Sequence, residues 1–373
     1  MTTTATETAE PLRRQLADHL RDTGALVSDM WHSAFAEVPR EEFVPQFTYR
    51  KADGSQSSCQ AGDDGYLEAV YQDASLITQT DAQGTATSSS SQPSLMARML
   101  EVLQVTSGMS VLEVGAGTGY NAALLAHALG DAAVVSVDID PELVAGARQA
   151  LEAAGYRPAV VCGNGAHGHP ERAPYDRLIA TFGVPRLPGA WLDQVRPGGV
   201  MVVNVGLGLA RLHAGEDGGA AGRFLDYSAF MPIRSETGSV AATAGDVLQE
   251  TSGGGDRHET WWPHGLEARP VVALRSLTMP GVREVTLHLD DGDEYVFLDR
   301  ASGSWARARR RGDGQAVVVE SGPRRLWGEL VAVVDLWTSH GRPELTSYEL
   351  AVTPDGRHTL TVAGSEGEDW LLP

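Results

Sequence analysis

The sequence has very little cysteine: Cys59 and Cys162 are the two thiols in 373 residues. Two thiols so far apart build neither a disulfide framework nor a zinc cluster. Positive charge is scarce as well. There are 29 Lys and Arg against 49 Asp and Glu, giving a formal net charge of -20, and Lys51 is the single lysine. Such a chain is repelled by phosphate backbones, which sets nucleic-acid partners aside. Long apolar runs are missing too. Nothing approaches the ~18 consecutive apolar residues of a membrane span. The stretch from Met1 to Leu12 is polar and Thr-rich, without an apolar core of signal-peptide length. No internal repeat is visible. The expectation is a soluble, cytoplasmic protein with no membrane partner. With 42% hydrophobic residues, the length supports two domains or one large one, and the core needs no metal or disulfide.

Residues 11–40 read as helical, with Leu12, Leu16, Leu20, Met30, Ala34 and Phe35 spaced for one buried face. Pro39 and Pro45 then break the helix. Residues 52–65 and 78–94 are polar, without apolar periodicity, and read as loops. From 95 to 206 the pattern is regular. Apolar strands at 110–114, 132–137, 159–162, 177–181 and 200–205 alternate with helical stretches at 95–103, 120–129, 141–154 and 187–195. This spacing means a parallel sheet with helices on both faces. Phe224 to Ile233 reads as one more strand. Residues 236–259, with Ser252-Gly253-Gly254-Gly255, read as a linker between a domain over 1–235 and an α+β unit over 260–373. That unit is expected to hold a hairpin at 284–298, a helix at 324–340 and a last hairpin at 348–362. Trp261, Trp262, Trp327 and Trp337 would build its small core. Arg307, Arg309, Arg310 and Arg311 read as a solvated strand face, with a peptide-binding patch as the other reading.

The strongest local signal is Val111-Leu112-Glu113-Val114-Gly115-Ala116-Gly117-Thr118-Gly119. A glycine loop directly after a buried strand lets a ligand approach the backbone, and the next helix points its free N–H groups at that ligand. A dinucleotide fingerprint would need its third glycine at 120, but position 120 is Tyr. The tighter spacing resembles the S-adenosylmethionine loop of class I methyltransferases. Asp138 ends the next strand, where an acidic side chain can accept hydrogen bonds from ribose hydroxyls. The Asn-Pro-Pro-Tyr type motif of base-modifying methyltransferases is absent: its place holds Thr181-Phe182-Gly183-Val184-Pro185. His167 and His169 flank Gly168 but have no third ligand nearby, so no metal is expected.

Several further pieces, in order, resemble one family, the protein L-isoaspartate (D-aspartate) O-methyltransferases. They are Val38-Pro39-Arg40-Glu41 with Phe43-Val44-Pro45, Tyr71-Gln72-Asp73, Ser91-Gln92-Pro93, the glycine loop, and Gly163-Asn164-Gly165. Ala173-Pro174-Tyr175-Asp176, Asn204-Val205-Gly206 and Phe230-Met231-Pro232 complete the set. The resemblance implies a class I methyltransferase fold, a doubly wound, mostly parallel α/β sheet with an antiparallel final strand, here carrying the extra C-terminal α+β unit. It implies S-adenosylmethionine as cofactor and methyl transfer to a side-chain carboxylate of a peptide or protein. The implied cofactor-binding residues are Ser88, Glu113, Gly115, Ala116, Gly117, Thr118, Gly119, Asp138, Ile139, Gly163, Asn164 and Gly165. Asn164 stands where the family has Asp.

Ser91 and Asp73 are the expected catalytic residues. The Ser91 hydroxyl can donate to one oxygen of the acceptor carboxylate and leave the other free to attack. Its competing role is to N-cap the helix that starts near Pro93. For Asp73 the competing reading is a solvated loop carboxylate. No general base is required, because a carboxylate of pKa about 3.9 is already ionised at pH 7.

Two readings of the acceptor follow. The preferred one is an Asp of a dedicated, cyclised ribosomal peptide, whose methyl ester collapses to an aspartimide. Extended relatives associated with lanthipeptides, lasso peptides and ATP-grasp-made ester/amide peptides are like this. The alternative is repair of isoaspartyl residues in aged proteins. The region past 236, the serine run and Asn164 favour the first. A catalytically dead fold acting as a binding module is the reading from another class. The sequence gives no oligomeric state.

Overall fold

The computed structural model describes residues 3–51, 53–234, 243–290, 292–364 and 369–373. Helices α1 (Thr3–Asp22) and α2 (Asp29–Glu37) carry the apolar stripe expected before Pro39, with Leu16, Leu20, Trp31 and Phe35 buried. The stripe is interrupted between them, where the Glu101 carboxylate accepts the Val27 and Ser28 N–H groups at 2.7 and 2.8 Å.

Next come β1 (Gln46–Arg50), β2 (Gln56–Gln60), α3 (Tyr66–Val70), β3 (Leu76–Thr80), β4 (Ala86–Ser90) and α4 (Pro93–Leu103). The four strands form a small sheet in the order β2-β1-β3-β4. The stretches expected as polar loops therefore contribute β2, β3 and β4. These strands lack apolar alternation, yet β4 buries Ser88 and Ser90. Hydroxyl bonding, such as Thr78 Oγ1 donating to Ser88 Oγ at 3.3 Å, takes the place of apolar packing.

The main sheet begins with β5 (Val111–Val114). It continues through α5 (Tyr120–Leu129), β6 (Val134–Asp138), α6 (Pro141–Ala153), β7 (Ala159–Cys162), β8 (Tyr175–Val184), α7 (Gly189–Gln194) and β9 (Val195–Val205). Strands β9-β8-β5-β6-β7 run parallel, as the alternating pattern predicts. β5 and β6 are buried along their whole length, which is why they read as apolar runs. Asp140 caps α6, its Oδ1 accepting the Glu142 and Leu143 N–H groups, with Pro141 in the first turn.

Two antiparallel strands follow, β10 (Gly208–Ala214) and β11 (Ala220–Tyr227). β10 has no counterpart in the sequence reading. It follows β9 after a two-residue turn, in which Gly206 adopts φ +57°. The strand expected over 224–233 ends at Tyr227. Residues 228–234 form a strap across the tips of β8 and β9 instead. The Gly183 N–H donates to the Met231 carbonyl, and the Ile233 N–H to the Gly183 carbonyl, both at 2.8 Å.

The chain continues with α8 (Ala244–Glu250), β12 (Asp256–Trp261), α9 (Arg269–Thr278), β13 (Arg283–Leu289), β14 (Gly292–Asp299), β15 (Ser304–Arg310), β16 (Gln315–Ser321) and α10 (Leu326–Ser339). Then come β17 (Tyr348–Val352), β18 (His358–Val362) and β19 (Trp370–Leu371). Within the segment expected as a linker, the described residues 243–259 contain regular structure. Thr243 and Asp246 form a reciprocal capping box at α8, and β12 pairs with β16. Residues 236–242 lie outside the described residues. A third sheet has the order β12-β16-β15-β14-β13. The last hairpin, expected in the C-terminal unit, joins the main sheet instead, with β17 pairing to β11. Among the described residues that sheet has ten strands, β19-β18-β17-β11-β10-β9-β8-β5-β6-β7.

One apolar cluster runs from Leu112, Val203 and Phe224 into Trp262, Leu274 and Trp327, so residues 260–373 share a core with the main sheet. Trp261 departs from expectation. It is 70% exposed, because alternation along the edge strand turns Trp262 inward onto Trp327 and Tyr295. The basic run is largely neutralised within its own sheet. Arg307 and Arg309 reach Glu294 at 2.6 and 3.3 Å, and Arg311 reaches Glu259 at 2.9 Å.

Candidate functional site

A cleft opens at the carboxyl ends of the parallel strands. Its floor is the turn from β5 to α5. Gly115 and Gly117 have φ of +98° and +51°, which a side chain rarely adopts. A Cβ on Gly115 would stand 2.5 Å from Thr181 Oγ1. Gly117 faces the serine strand, with its missing Cβ position 3.6 Å from Ser88 Oγ and 3.7 Å from the Ser89 carbonyl. Gly119 does not line the cleft: its missing Cβ would stand 3.0 Å from Ala147 Cβ, so it is small for helix packing.

Asp138 lies in the cleft wall and is 7% exposed. Its Oδ2 accepts the Gly117 N–H at 2.8 Å and its Oδ1 accepts the Asp140 N–H at 3.1 Å. The carboxylate thus sets the shape of the glycine loop as well as facing the cleft. Glu113 sits behind the loop, fully buried and away from the lining. Asn121 Nδ2 and Ser136 Oγ donate to it at 2.7 and 2.5 Å. Burial pushes its carboxyl up to about 7, against the pull of those two donors and with help from the nearby Asp138 charge. Glu113 ties β5, β6 and α5 together beneath the site.

Of the other residues implied for the cofactor, Ala116, Thr118, Ile139 and Gly165 line the cleft, while Gly163 and Asn164 do not. The Gly163 N–H donates to the Asp138 carbonyl at 2.8 Å. Asn164 caps a short turn, its side chain accepting the Ala166 N–H at 3.0 Å. His167 is exposed and His169 pairs with Glu171 at 3.0 Å. Among the described residues no three His, Cys, Asp or Glu side chains converge on a metal position.

Ser88 and Ser91 both line the cleft. The helix-capping role weighed for Ser91 falls to Asp73 instead. Among the described residues Ser91 makes no cap bond: the residue before α4 is Gln92, which makes no side-chain cap bond either. Asp73 does the capping, its Oδ1 accepting the Ser94 N–H at 2.8 Å while Gln92 Nε2 donates to Oδ2 at 3.1 Å. Asp73 therefore stands outside the cleft, at the start of α4.

Sequence reasoning left Arg40 without a role. Its guanidinium is fully buried, and it donates to the carbonyls of Val70, Gln72, Ala74 and Ser91 and to Ser90 Oγ. Burial lowers its affinity for the proton, offset in part by Tyr120, Tyr71 and Asp73. It pins the 70–74 turn to the serine strand. Arg234 of the strap was missed too. It approaches Asp138 at 3.6 Å and Asp140 at 3.3 Å.

These groups fit S-adenosylmethionine. A glycine gap gives it room, a buried carboxylate at the end of β6 can take ribose hydroxyls, and Ile139, Leu143 and Phe182 offer apolar walls.

Comparison with known proteins agrees. The family model described as protein-L-isoaspartate(D-aspartate) O-methyltransferase matches residues 12–236. The protein-L-isoaspartate O-methyltransferase of Thermotoga maritima is 38% identical over 50% of this chain and 53% of its own, so the match spans about half of that relative. That of Methanopyrus kandleri is 35% identical over 61% of this chain and 92% of its own. A solved structure described as protein-L-isoaspartate O-methyltransferase superposes with a TM-score of 0.58 at 25% identity. It covers 94% of this chain and 99% of the solved one. The chain belongs to the protein-L-isoaspartate(D-aspartate) O-methyltransferase family.

Proposed function

We propose that this chain methylates the side-chain carboxylate of isoaspartyl residues in peptides or proteins, with S-adenosylmethionine as donor. One juxtaposition carries the reading. Ser91 stands in the wall of the same cleft as the glycine loop and Asp138, so acceptor and cofactor sides share one space. Gly115, Ala116, Gly117, Thr118, Asp138, Ile139 and Gly165 would hold the cofactor. Bound there, S-adenosylmethionine supplies an electrophilic methyl group on its sulfonium sulfur. The chain's own task is alignment and the exclusion of water. Ser91 Oγ has no hydrogen-bond partner among the described residues, which leaves it available to one oxygen of the acceptor carboxylate. Phe182, Phe230 and Met231 keep that space apolar. Holding an already ionised nucleophile in line contributes several kcal/mol, on the order of 7–11 at best.

Three sequence features point instead to a dedicated cyclised peptide, and each has another account. The region past 236 shares a core with the main sheet, and the solved isoaspartyl enzyme covers nearly the whole chain. The serine run is an ordered strand. Asn164 caps a turn. The isoaspartyl reading is therefore the better supported of the two.

The test is intact-mass analysis of one short peptide in isoaspartyl and aspartyl forms, incubated with the protein and S-adenosylmethionine. The expected result is one methyl group gained by the isoaspartyl form alone. Equal methylation of both forms, or of neither, refutes it.

A further inference from the structure

We infer that Asp140 is a clasp: it joins the serine hairpin and the strap over the cofactor cleft and thereby sets how fast the cofactor leaves. This inference rests on the cofactor reading above. Asp140 does not line the cleft, so its role is positional.

The two carboxylate oxygens have separate tasks. Oδ1 accepts the Glu142 and Leu143 N–H groups at 2.9 and 3.3 Å, which completes the cap of α6. The helix needs nothing from Oδ2. Yet Oδ2 takes two donors from two separate segments of the chain. Gln79 Nε2 of β3 donates at 3.1 Å, and Arg234 Nη1 of the strap at 3.3 Å. Each link is extended inward. Gln79 Oε1 accepts Thr87 Oγ1 of β4 at 2.7 Å, and Thr87 itself lines the cleft. Arg234 Nη2 stands 3.6 Å from Asp138 Oδ1, on the carboxylate that faces the cofactor position. One carboxylate thus connects the serine wall, the strap and the turn after β6. Burial disfavours its charge, but the Gln79 bond, the two backbone N–H groups and Arg234 together hold its carboxyl below the usual range.

The substitution Asp140→Asn separates clasp from cap. The remaining oxygen still caps α6, while the new amide, a donor, cannot accept from Gln79 or Arg234. Arg234→Met and Gln79→Ala each remove one arm and leave the helix untouched.

The experiment measures the release rate of S-adenosylhomocysteine by stopped-flow fluorescence from wild type, the three variants, and the Asp140→Asn/Arg234→Met pair. Melting of the unliganded proteins is followed in parallel. Arg234→Met and Gln79→Ala should each release the ligand roughly three- to tenfold faster, the worth of one part-exposed ionic hydrogen bond, and Asp140→Asn, which loses both arms, at least as fast as either. The paired variant should show less than the product of its two single effects. Wild-type release rates in the single variants overturn the clasp. So does a paired effect equal to the product, or a fall in melting temperature with release unchanged. Wild type that does not bind S-adenosylhomocysteine at all overturns the cofactor reading itself, and the clasp with it.

Discussion

Replacing Arg40 by methionine removes the guanidinium that fastens the acceptor side of the cleft. Four carbonyls, of Val70, Gln72, Ala74 and Ser91, accept from it at 2.8, 3.1, 3.2 and 3.2 Å, and Ser90 Oγ at 3.4 Å from Nε. Each buried bond contributes about 1 kcal/mol net, so the four carbonyls together lose about 4. Relief from burying a cation with no ion-pair partner among the described residues returns part of this. The balance is a destabilisation of about 2–4 kcal/mol, a large share of the ~5–15 kcal/mol that holds a domain together. Arg40→Lys keeps the charge but has three donors where five were used, and should lose about half as much. Urea denaturation reads both values. Because the Ser91 carbonyl is one of the acceptors, the Lys variant should also lose more turnover than cofactor affinity. A Met variant within about 0.5 kcal/mol of wild type would refute the reasoning, because the carbonyls would then be satisfied without the guanidinium.

Gly117→Val should abolish cofactor binding in calorimetry. It places branched carbons in the gap before Ser88 and imposes a side chain at φ +51°; undiminished affinity would contradict the loop assignment. Asp73→Ala should lower stability by about 1 kcal/mol through loss of the α4 cap while turnover persists, and Ser91→Ala should do the reverse. Melting curves and methylation rates on the same samples separate the two. His358 Nε2 accepts the Leu187 N–H at 2.8 Å, and burial holds its pKa below 6.5, against a smaller opposing pull from the Gly356 carbonyl. Its native partner bond needs the neutral ring. The stability it provides is therefore complete above about pH 6.5 and declines as pH falls below that value, where the unfolded chain takes up the proton first. The urea midpoint should drop between pH 7.5 and pH 5.5 in wild type and change less in His358→Gln.

The parts of the site legible in the sequence are those a short segment decides. The glycine loop, Asp138 and the start of α6 at Pro141 lie on consecutive elements whose strand-turn-helix pattern is local. What tertiary contact decides was not legible. Either Ser91 or a remote carboxylate could cap α4, and only packing brings Asp73 there. β3 and β4 carry no apolar alternation, because Thr78 and Ser88 satisfy each other through hydroxyls. The pairing of Arg223 with Glu349 leaves no mark in either neighbourhood of the chain, so the last hairpin went to the wrong sheet. Arg40 sat in a recognisable motif, yet its meaning lies in carbonyls, which carry no residue type.

The joining of β17 to β11 has a consequence for synthesis. About 120 residues separate Tyr227 from Tyr348, so at about 5–20 residues per second the ribosome takes roughly 6–24 s to deliver the partner of β11. Throughout that interval β11 is an open edge, with unpaired N–H and C=O groups ready for any neighbouring strand. Arg223 and Asp226 on that strand are charges of the kind that discourage such pairing. A shortened chain that stops before β17 keeps the edge for good, and its danger is sticking to its own copies while the parallel half of the sheet is already complete.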